Sequence, residues 1–99
     1  MYKVALDPVG ELEFMTRDDV FYPTGTSSAL IEAFRKYPSK PAKLLDLGCG
    51  TGVVGVALSK LDLIQKPFFA SDLSVSAVDL TAKNTRIHGC EVVAKGGPL

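Results

Sequence analysis

Short hydrophobic and alternating stretches open the chain and predict two strands. Residues 3–6 are largely apolar, and residues 11–15 place Leu12 and Phe14 at alternate positions, as expected for an extended strand with one buried face. The Asp-Pro-Val-Gly segment between them has proline and glycine where a tight turn favours them. We therefore expect the chain to begin with a small β-hairpin.

Three later segments repeat apolar residues every three or four positions, which predicts amphipathic helices. The first follows a Thr/Ser cluster that supplies N-caps and ends before Pro38. The second begins after Gly52. The third has Ser74 as its predicted N-cap and Gly89 after its end, and Asn84 is expected on its surface. The predicted apolar faces are Leu30, Ile31, Phe34 and Tyr37; Val53, Val54, Ala57, Leu58 and Leu61; and Val75, Val78 and Ala82.

Strands are predicted between and after these helices. Residues 44–47 form an apolar run that predicts a buried strand, and residues 66–72 and 90–95 predict two more. Alternating strands and helices imply a parallel sheet with right-handed connections. The predicted fold class is α/β: a parallel sheet with flanking helices and the N-terminal hairpin.

The junction between the first sheet strand and the second helix carries the candidate chemistry. Asp46 lies inside the apolar strand, where a carboxylate is costly without a partner. Gly48, Gly50 and Gly52 follow, and glycine lets the backbone turn sharply and approach a ligand. The helix N-terminus after them offers N–H groups to an anionic group. Ordering three glycines costs more conformational entropy than ordering other residues, which makes a tight turn that binds no ligand a weaker explanation.

Two ligand classes fit this junction. Gly50, Gly52 and Gly55 match the spacing of the dinucleotide fingerprint, and Asp72 lies about twenty residues further on, as a ribose-binding acid would. That register begins late, however, because Gly48 already follows the strand directly. Asp46 also stands where a dinucleotide-binding strand is normally apolar.

The full run Asp-Leu-Gly-Cys-Gly-Thr-Gly at residues 46–52 resembles the nucleotide-binding motif of class I S-adenosylmethionine-dependent methyltransferases. Residues 22–30, which run from Tyr-Pro to Leu, are similar to a segment of the small-domain methyltransferases that modify a glutamine of translation release factors. The resemblance implies a partial Rossmann-like methyltransferase fold, whose parallel strands would lie in the order 3-2-1, with S-adenosylmethionine as cofactor. The reaction it implies is methylation of a nitrogen in a protein glutamine or a nucleic-acid base.

The resemblance also implies roles for particular residues. Asp46 would orient the amino end of the cofactor and Asp72 would bind its ribose hydroxyls, while the glycines would admit it. The expected cofactor-binding residues are Asp46, Gly48, Cys49, Gly50, Thr51, Gly52, Asp72, Leu73, Thr26 and Ser27. No catalytic residue is predicted.

A complete methyltransferase of this class continues through further strands to an acceptor motif of the Asn-Pro-Pro-Tyr type, which this sequence lacks. We therefore expect residues 1–23 to form the hairpin and entry loop, and residues 24–99 to form the N-terminal half of the cofactor-binding domain. The methyl acceptor would be contacted through the absent C-terminal part, and the chain alone would be inactive. The edge of the first sheet strand would be open to self-association. The alternatives are an NAD(P)-binding half of an oxidoreductase and a non-catalytic module that binds a cofactor or partner.

Composition and charge indicate which partners and which cellular location to expect for this domain. The 99 residues carry a formal net charge of +0, which gives no electrostatic support for a nucleic-acid or membrane surface. There is no apolar run of membrane-spanning length. Cys49 and Cys90 have no metal-site spacing, so no metal is predicted and a reduced, cytoplasmic location is expected.

Overall fold

The computed structural model describes residues 2–20, 25–36 and 43–97, and within residues 25–27 it describes the backbone alone. These ranges contain five strands and three helices. In chain order they are β1 (Tyr2–Leu6), β2 (Gly10–Phe14), α1 (Gly25–Lys36), β3 (Leu45–Leu47), α2 (Val53–Lys60), β4 (Phe68–Asp72), α3 (Val75–Ile87) and β5 (Val92–Gly96). None of these helices has the length and apolar content that a membrane crossing needs.

The N-terminal hairpin is confirmed. β1 and β2 pair antiparallel, from Tyr2 opposite Phe14 to Leu6 opposite Gly10. Leu12 and Phe14, which alternate along β2, are both buried, so the hairpin packs one face into the main core of the molecule.

The predicted parallel sheet is also confirmed. Its strands lie in the order β3-β4-β5, with Asp46 opposite Ala70 and Asp72 opposite Gly96. The helices begin and end within a few residues of the predicted positions. Ser74 caps α3 as predicted, and its side chain accepts a hydrogen bond from the backbone N–H of Ala77 at 3.2 Å.

Helix α2 packs closely on β4. A Cβ at Gly55 would overlap the ring of Phe68, which is itself fully buried. The third glycine of the apparent dinucleotide fingerprint is therefore explained by helix–strand packing. This close approach positions the N-terminus of α2 directly after the end of β3.

The prediction that residues 44–47 form a buried strand is wrong for one of its faces. Leu45 and Leu47 are 56% and 62% exposed. Across the sheet, Leu45 lies opposite Phe69, which lies opposite Val93, and both of these are also exposed. The described helices cover the other face, where Phe68 and Ala70 are buried. We call the surface formed by Leu45, Leu47, Phe69 and Val93 the open face.

The predicted apolar face of α3 is also wrong. Val75 is exposed and Val78 is half-buried, because the helix is rotated relative to the predicted face. The residues that it buries are Ala77, Leu80, Thr81, Asn84 and Thr85. Asn84, expected at the surface, has no exposed area.

Candidate cofactor site at the carboxyl end of the sheet

The loop of residues 48–52, which we call the glycine loop, is fixed to the end of β4. The backbone N–H groups of Gly48 and Cys49 both donate to the carbonyl of Ser71, at 2.8 and 3.0 Å. Gly48, Gly50 and Gly52 have φ angles of 74°, 55° and 85°, which glycine adopts far more readily than other residues do. The conformation of the loop therefore favours glycine at all three positions.

One side of the glycine loop is open. Gly48 is exposed, and a Cβ built on it would meet no atom within 4 Å. The loop leads into α2, whose N-cap Gly52 makes no side-chain capping hydrogen bond. The N–H groups of the first helical turn carry a partial positive charge and suit an anionic group. The loop thus combines room for a ligand with backbone donors.

Asp72 lies at the end of β4, beside the glycine loop. Its Oδ2 accepts a hydrogen bond from the N–H of Gly50 at 3.2 Å, and its Oδ1 accepts one from the N–H of Ser74 at 2.9 Å. An ionised carboxylate has about four acceptor positions, so each oxygen keeps capacity for a further donor. This side chain can therefore support the loop and bind hydroxyl groups of a ligand together.

Asp46 is the second carboxylate at this edge of the sheet. Burial, together with the nearby negative charge of Asp72, raises the pKa of its carboxyl group to about 6. Among the described residues, none donates a hydrogen bond to it. A cationic ligand group beside Asp46 would favour its ionised form, and that is the role expected of the cofactor's amino end.

The remaining predicted site residues differ in what they can offer. The side chains of Cys49 and Thr51 are buried, so their contribution to a ligand in the open side of the loop would come from backbone groups. Leu73 is 79% exposed next to Asp72 and offers apolar surface at the same edge. The side chains of Thr26 and Ser27 lie outside the described residues. In the ranges that the structure describes, no three His, Cys, Asp or Glu side chains are grouped to hold a metal.

Two residues of α3 that the sequence analysis did not assign to the site contact the glycine loop. Thr81 Oγ1 donates to the carbonyl of Gly50 at 2.9 Å, and Asn84 Nδ2 donates to the carbonyl of Thr51 at 2.8 Å. The signal was present in the sequence, because both residues fall at helical spacing from Ala77. Asn84 was expected at the surface and Thr81 was given no role, whereas both are buried against the loop.

Known proteins are similar to this chain over most of its length. Residues 11–96 match the family described as "Methyltransferase small domain". A ribosomal protein L11 methyltransferase of Caldicellulosiruptor bescii is 31% identical over 79% of this chain. A release factor glutamine methyltransferase of Geobacter sulfurreducens is 28% identical over 89% of it. The crystal structure of a precorrin 8w decarboxylase from Methanobacterium thermoautotrophicum superposes with a TM-score of 0.68 and 25% identity over 86% of this chain.

The chain spans only part of each of these proteins. It covers 26% of the length of the C. bescii relative, 31% of the G. sulfurreducens relative and 45% of the decarboxylase chain. The family match itself runs from residue 11 in β2 to residue 96 at the end of β5.

Proposed function

Because the chain belongs to the methyltransferase small domain family, we propose that it is the S-adenosylmethionine-binding part of a class I methyltransferase. The observation that carries the proposal is the position of Asp72. Its carboxylate is bonded to the Gly50 N–H at 3.2 Å and retains acceptor capacity next to the open side of Gly48. Ligands of parallel α/β sheets bind at this carboxyl edge of the strands.

The described residues fit such a cofactor. Asp72 accepts hydrogen bonds from the ribose hydroxyls, and Leu73 gives an apolar surface beside them. Asp46 pairs with the amino end of the cofactor, directly or through water. Gly48 and Gly50 let the backbone approach. When bound, S-adenosylmethionine supplies an already activated methyl group, so what the protein must add is mainly orientation.

The methyl acceptor is a further part of the proposal. The curated relatives are named for ribosomal protein L11 and for a release factor glutamine. This supports a nitrogen of a protein as acceptor, ahead of a nucleic-acid base. Orientation of the acceptor needs groups on the far side of the cofactor, and we propose that a part of the methyltransferase beyond the matched region supplies them. Residues 1–99 alone are then expected to bind cofactor without transferring methyl groups.

The open face supports a proposal about partners. A parallel sheet is normally covered on both faces, and four apolar residues here are exposed on one of them. We propose that the isolated chain self-associates through the open face and the edge of β3. Sedimentation should show concentration-dependent association that Leu45→Lys with Phe69→Lys abolishes; a wild-type chain that stays monomeric at high concentration would refute this.

The cofactor proposal is tested by calorimetric titration with S-adenosylhomocysteine, the demethylated product. Asp72→Ala removes charge-assisted hydrogen bonds worth about 1.5–3 kcal/mol each, so the dissociation constant should rise about tenfold or more. The comparison variant is Asp79→Ala, because Asp79 is exposed on α3 and its carboxylate pairs with Arg17 and Lys83 rather than with the glycine loop. It should weaken binding by less than Asp72→Ala does. Equal, small effects of the two substitutions would remove the ribose role of Asp72.

A further inference from the structure

The side chain of Asn84 joins two distant parts of the chain. Its Oδ1 accepts a hydrogen bond from the N–H of Met15 at 2.7 Å, and its Nδ2 donates to the carbonyls of Met15 at 3.1 Å and Thr51 at 2.8 Å. The orientation of the amide is set because the Met15 N–H can only donate. The residue after β2 and the glycine loop are thus bonded to the same fully buried group.

A buried amide at this position is not explained by packing alone. Burying a polar group is unfavourable unless it is hydrogen-bonded, and an apolar side chain would fill the same space. Both protons of Nδ2 are used, one toward the hairpin and one toward the glycine loop. Replacing Asn84 with an apolar residue would leave groups on both sides unpaired.

Helix α3 also determines which way the glycine loop faces. Thr81 donates to the carbonyl of Gly50, and Asn84 to that of Thr51, so two successive carbonyls point toward α3. In a trans peptide the next N–H points the opposite way, so the N–H of Thr51 is directed away from α3. The N–H of Gly52 donates to the carbonyl of Cys49 at 2.9 Å, within the glycine loop itself.

The hairpin and the segment after it run along α3 on either side of Asn84. The ring Nε2 of His88 donates to the carbonyl of Glu13 at 2.7 Å. Further along, Arg17 donates to Asp79 at 2.6 Å. If the hairpin left α3, Asn84 would lose both of its bonds to Met15, and its amide would then be free to rotate away from the carbonyl of Thr51.

We propose that Asn84 is a positioning residue that couples docking of the N-terminal hairpin to the shape of the glycine loop. The loop is held in its ligand-binding conformation when the hairpin lies on α3, and it loosens when the hairpin leaves. The effect on cofactor affinity rests on the proposed function, whereas the coupling itself is a property of the chain without ligand.

The coupling is tested by amide hydrogen exchange in the ligand-free protein, which reports local opening. The reporters are the N–H groups of Met15 and Gly52, one on each side of Asn84. Asn84→Leu should speed exchange at both. The double variant Arg17→Ala with His88→Ala removes hairpin contacts that do not touch the loop, and it should speed exchange at Met15 and, through Asn84, at Gly52. Arg86→Ala, an exposed change on the same helix, should alter neither.

The same variants are then titrated with S-adenosylhomocysteine, with a loss of affinity of about tenfold expected for Asn84→Leu and a smaller loss for the double variant. The coupling is overturned if the N–H of Gly52 exchanges no faster in Asn84→Leu than in the wild type. It is also overturned if the double variant exchanges faster at Met15 but not at Gly52. If the double variant leaves both amides protected, the Asn84→Leu result decides. If the variants show the expected changes in exchange but the wild-type protein does not bind S-adenosylhomocysteine, the proposed function is refuted. The coupling between the hairpin and the glycine loop then still stands.

Discussion

Helices α2 and α3 contact the same strand, β4, yet they bury different chemistry. The buried face of α2 is apolar apart from Ser59, and Val56, Ala57 and Leu58 have no exposed area. The buried face of α3 includes three polar side chains, Thr81, Asn84 and Thr85. The difference follows from what each helix lies against: α2 packs on β4 through Gly55, whereas α3 lies beside the carbonyls of the glycine loop. Helix α3 therefore supplies hydrogen bonds to the glycine loop as well as packing.

The largest effect should come from the apolar helix. Leu58→Ala removes a fully buried side chain of α2 and should lower the free energy of unfolding by about 2–5 kcal/mol. The reason is lost apolar burial together with a residual cavity. Urea unfolding measures this change.

The affinity of the folded Leu58→Ala variant for S-adenosylhomocysteine should stay within about twofold of the wild type. Calorimetry at low temperature, where the variant remains folded, checks this expectation. A Leu58→Ala variant that keeps its stability but loses affinity for S-adenosylhomocysteine would show that α2 contributes to binding more than to stability, which is the opposite of the expected result.

The next effect concerns a polar group that neither helix satisfies. Burial and the nearby charge of Asp72 raise the pKa of Asp46 to about 6, above its value in the unfolded chain. The stability that the protonated carboxyl contributes is fully present below about pH 4 and is lost as pH rises through about 6. Asp46→Asn should therefore gain stability relative to the wild type as pH increases over this range, as measured by urea unfolding at pH 4 and pH 7.5.

Ligand binding should show the opposite preference at Asp46. A cationic amino group favours the ionised carboxylate, so the wild-type affinity for S-adenosylhomocysteine should rise by up to about tenfold between pH 5 and pH 7. The Asp46→Asn variant should bind more weakly at pH 7 and with little pH dependence. A wild-type affinity that falls over this interval would remove Asp46 from the amino end of the cofactor.

The smallest effect separates two threonines of α3. Thr81 donates to the glycine loop at Gly50, whereas Thr85 donates to the carbonyl of Thr81 in its own helix, at 2.6 Å. Thr81→Val should lower the affinity for S-adenosylhomocysteine about three- to tenfold, because one hydrogen bond of about 1 kcal/mol holds the loop carbonyl. Thr81→Ser, which keeps the hydroxyl, should restore it.

Thr85→Val is the matched control, since it makes the same change one helical turn further along. It should leave binding unchanged, because the carbonyl of Thr81 keeps its bond within the helix. Calorimetric titration of the three variants decides the matter. Equal losses in Thr81→Val and Thr85→Val would mean that the polar face of α3 acts through helix stability alone.

The same contrast explains what the sequence could and could not predict. The hairpin, the helices and the parallel pairing of the strands follow from local periodicity and from the alternation of strands and helices. The strand order came from the resemblance to the methyltransferases. The glycine loop and Asp72 could be singled out in the sequence because glycine permits sharp backbone turns and a carboxylate accepts hydrogen bonds. Asn84 was predicted to lie at the surface because a polar residue on a helix is usually solvated. The carbonyl groups that accept hydrogen bonds from its buried side chain belong to residues 15 and 51, so the local sequence gives no sign of them.

The open face was missed for a related reason. An apolar run such as residues 44–47 indicates that burial is favourable, but not that the covering layer lies within the described residues. Leu45 and Leu47 have the composition of a strand covered on both faces, and the helices described here cover one. Sequence periodicity therefore identified the strand correctly and its environment incorrectly.

The central claim is that the glycine loop binds an S-adenosylmethionine-type cofactor. The most direct measurement is a titration of the isotope-labelled protein with S-adenosylhomocysteine and, separately, with NADH, following backbone amide resonances. The account predicts saturable shifts with S-adenosylhomocysteine at Gly48, Gly50, Thr51 and Leu73, and none with NADH. Saturation of these amides by NADH with no response to S-adenosylhomocysteine would contradict it.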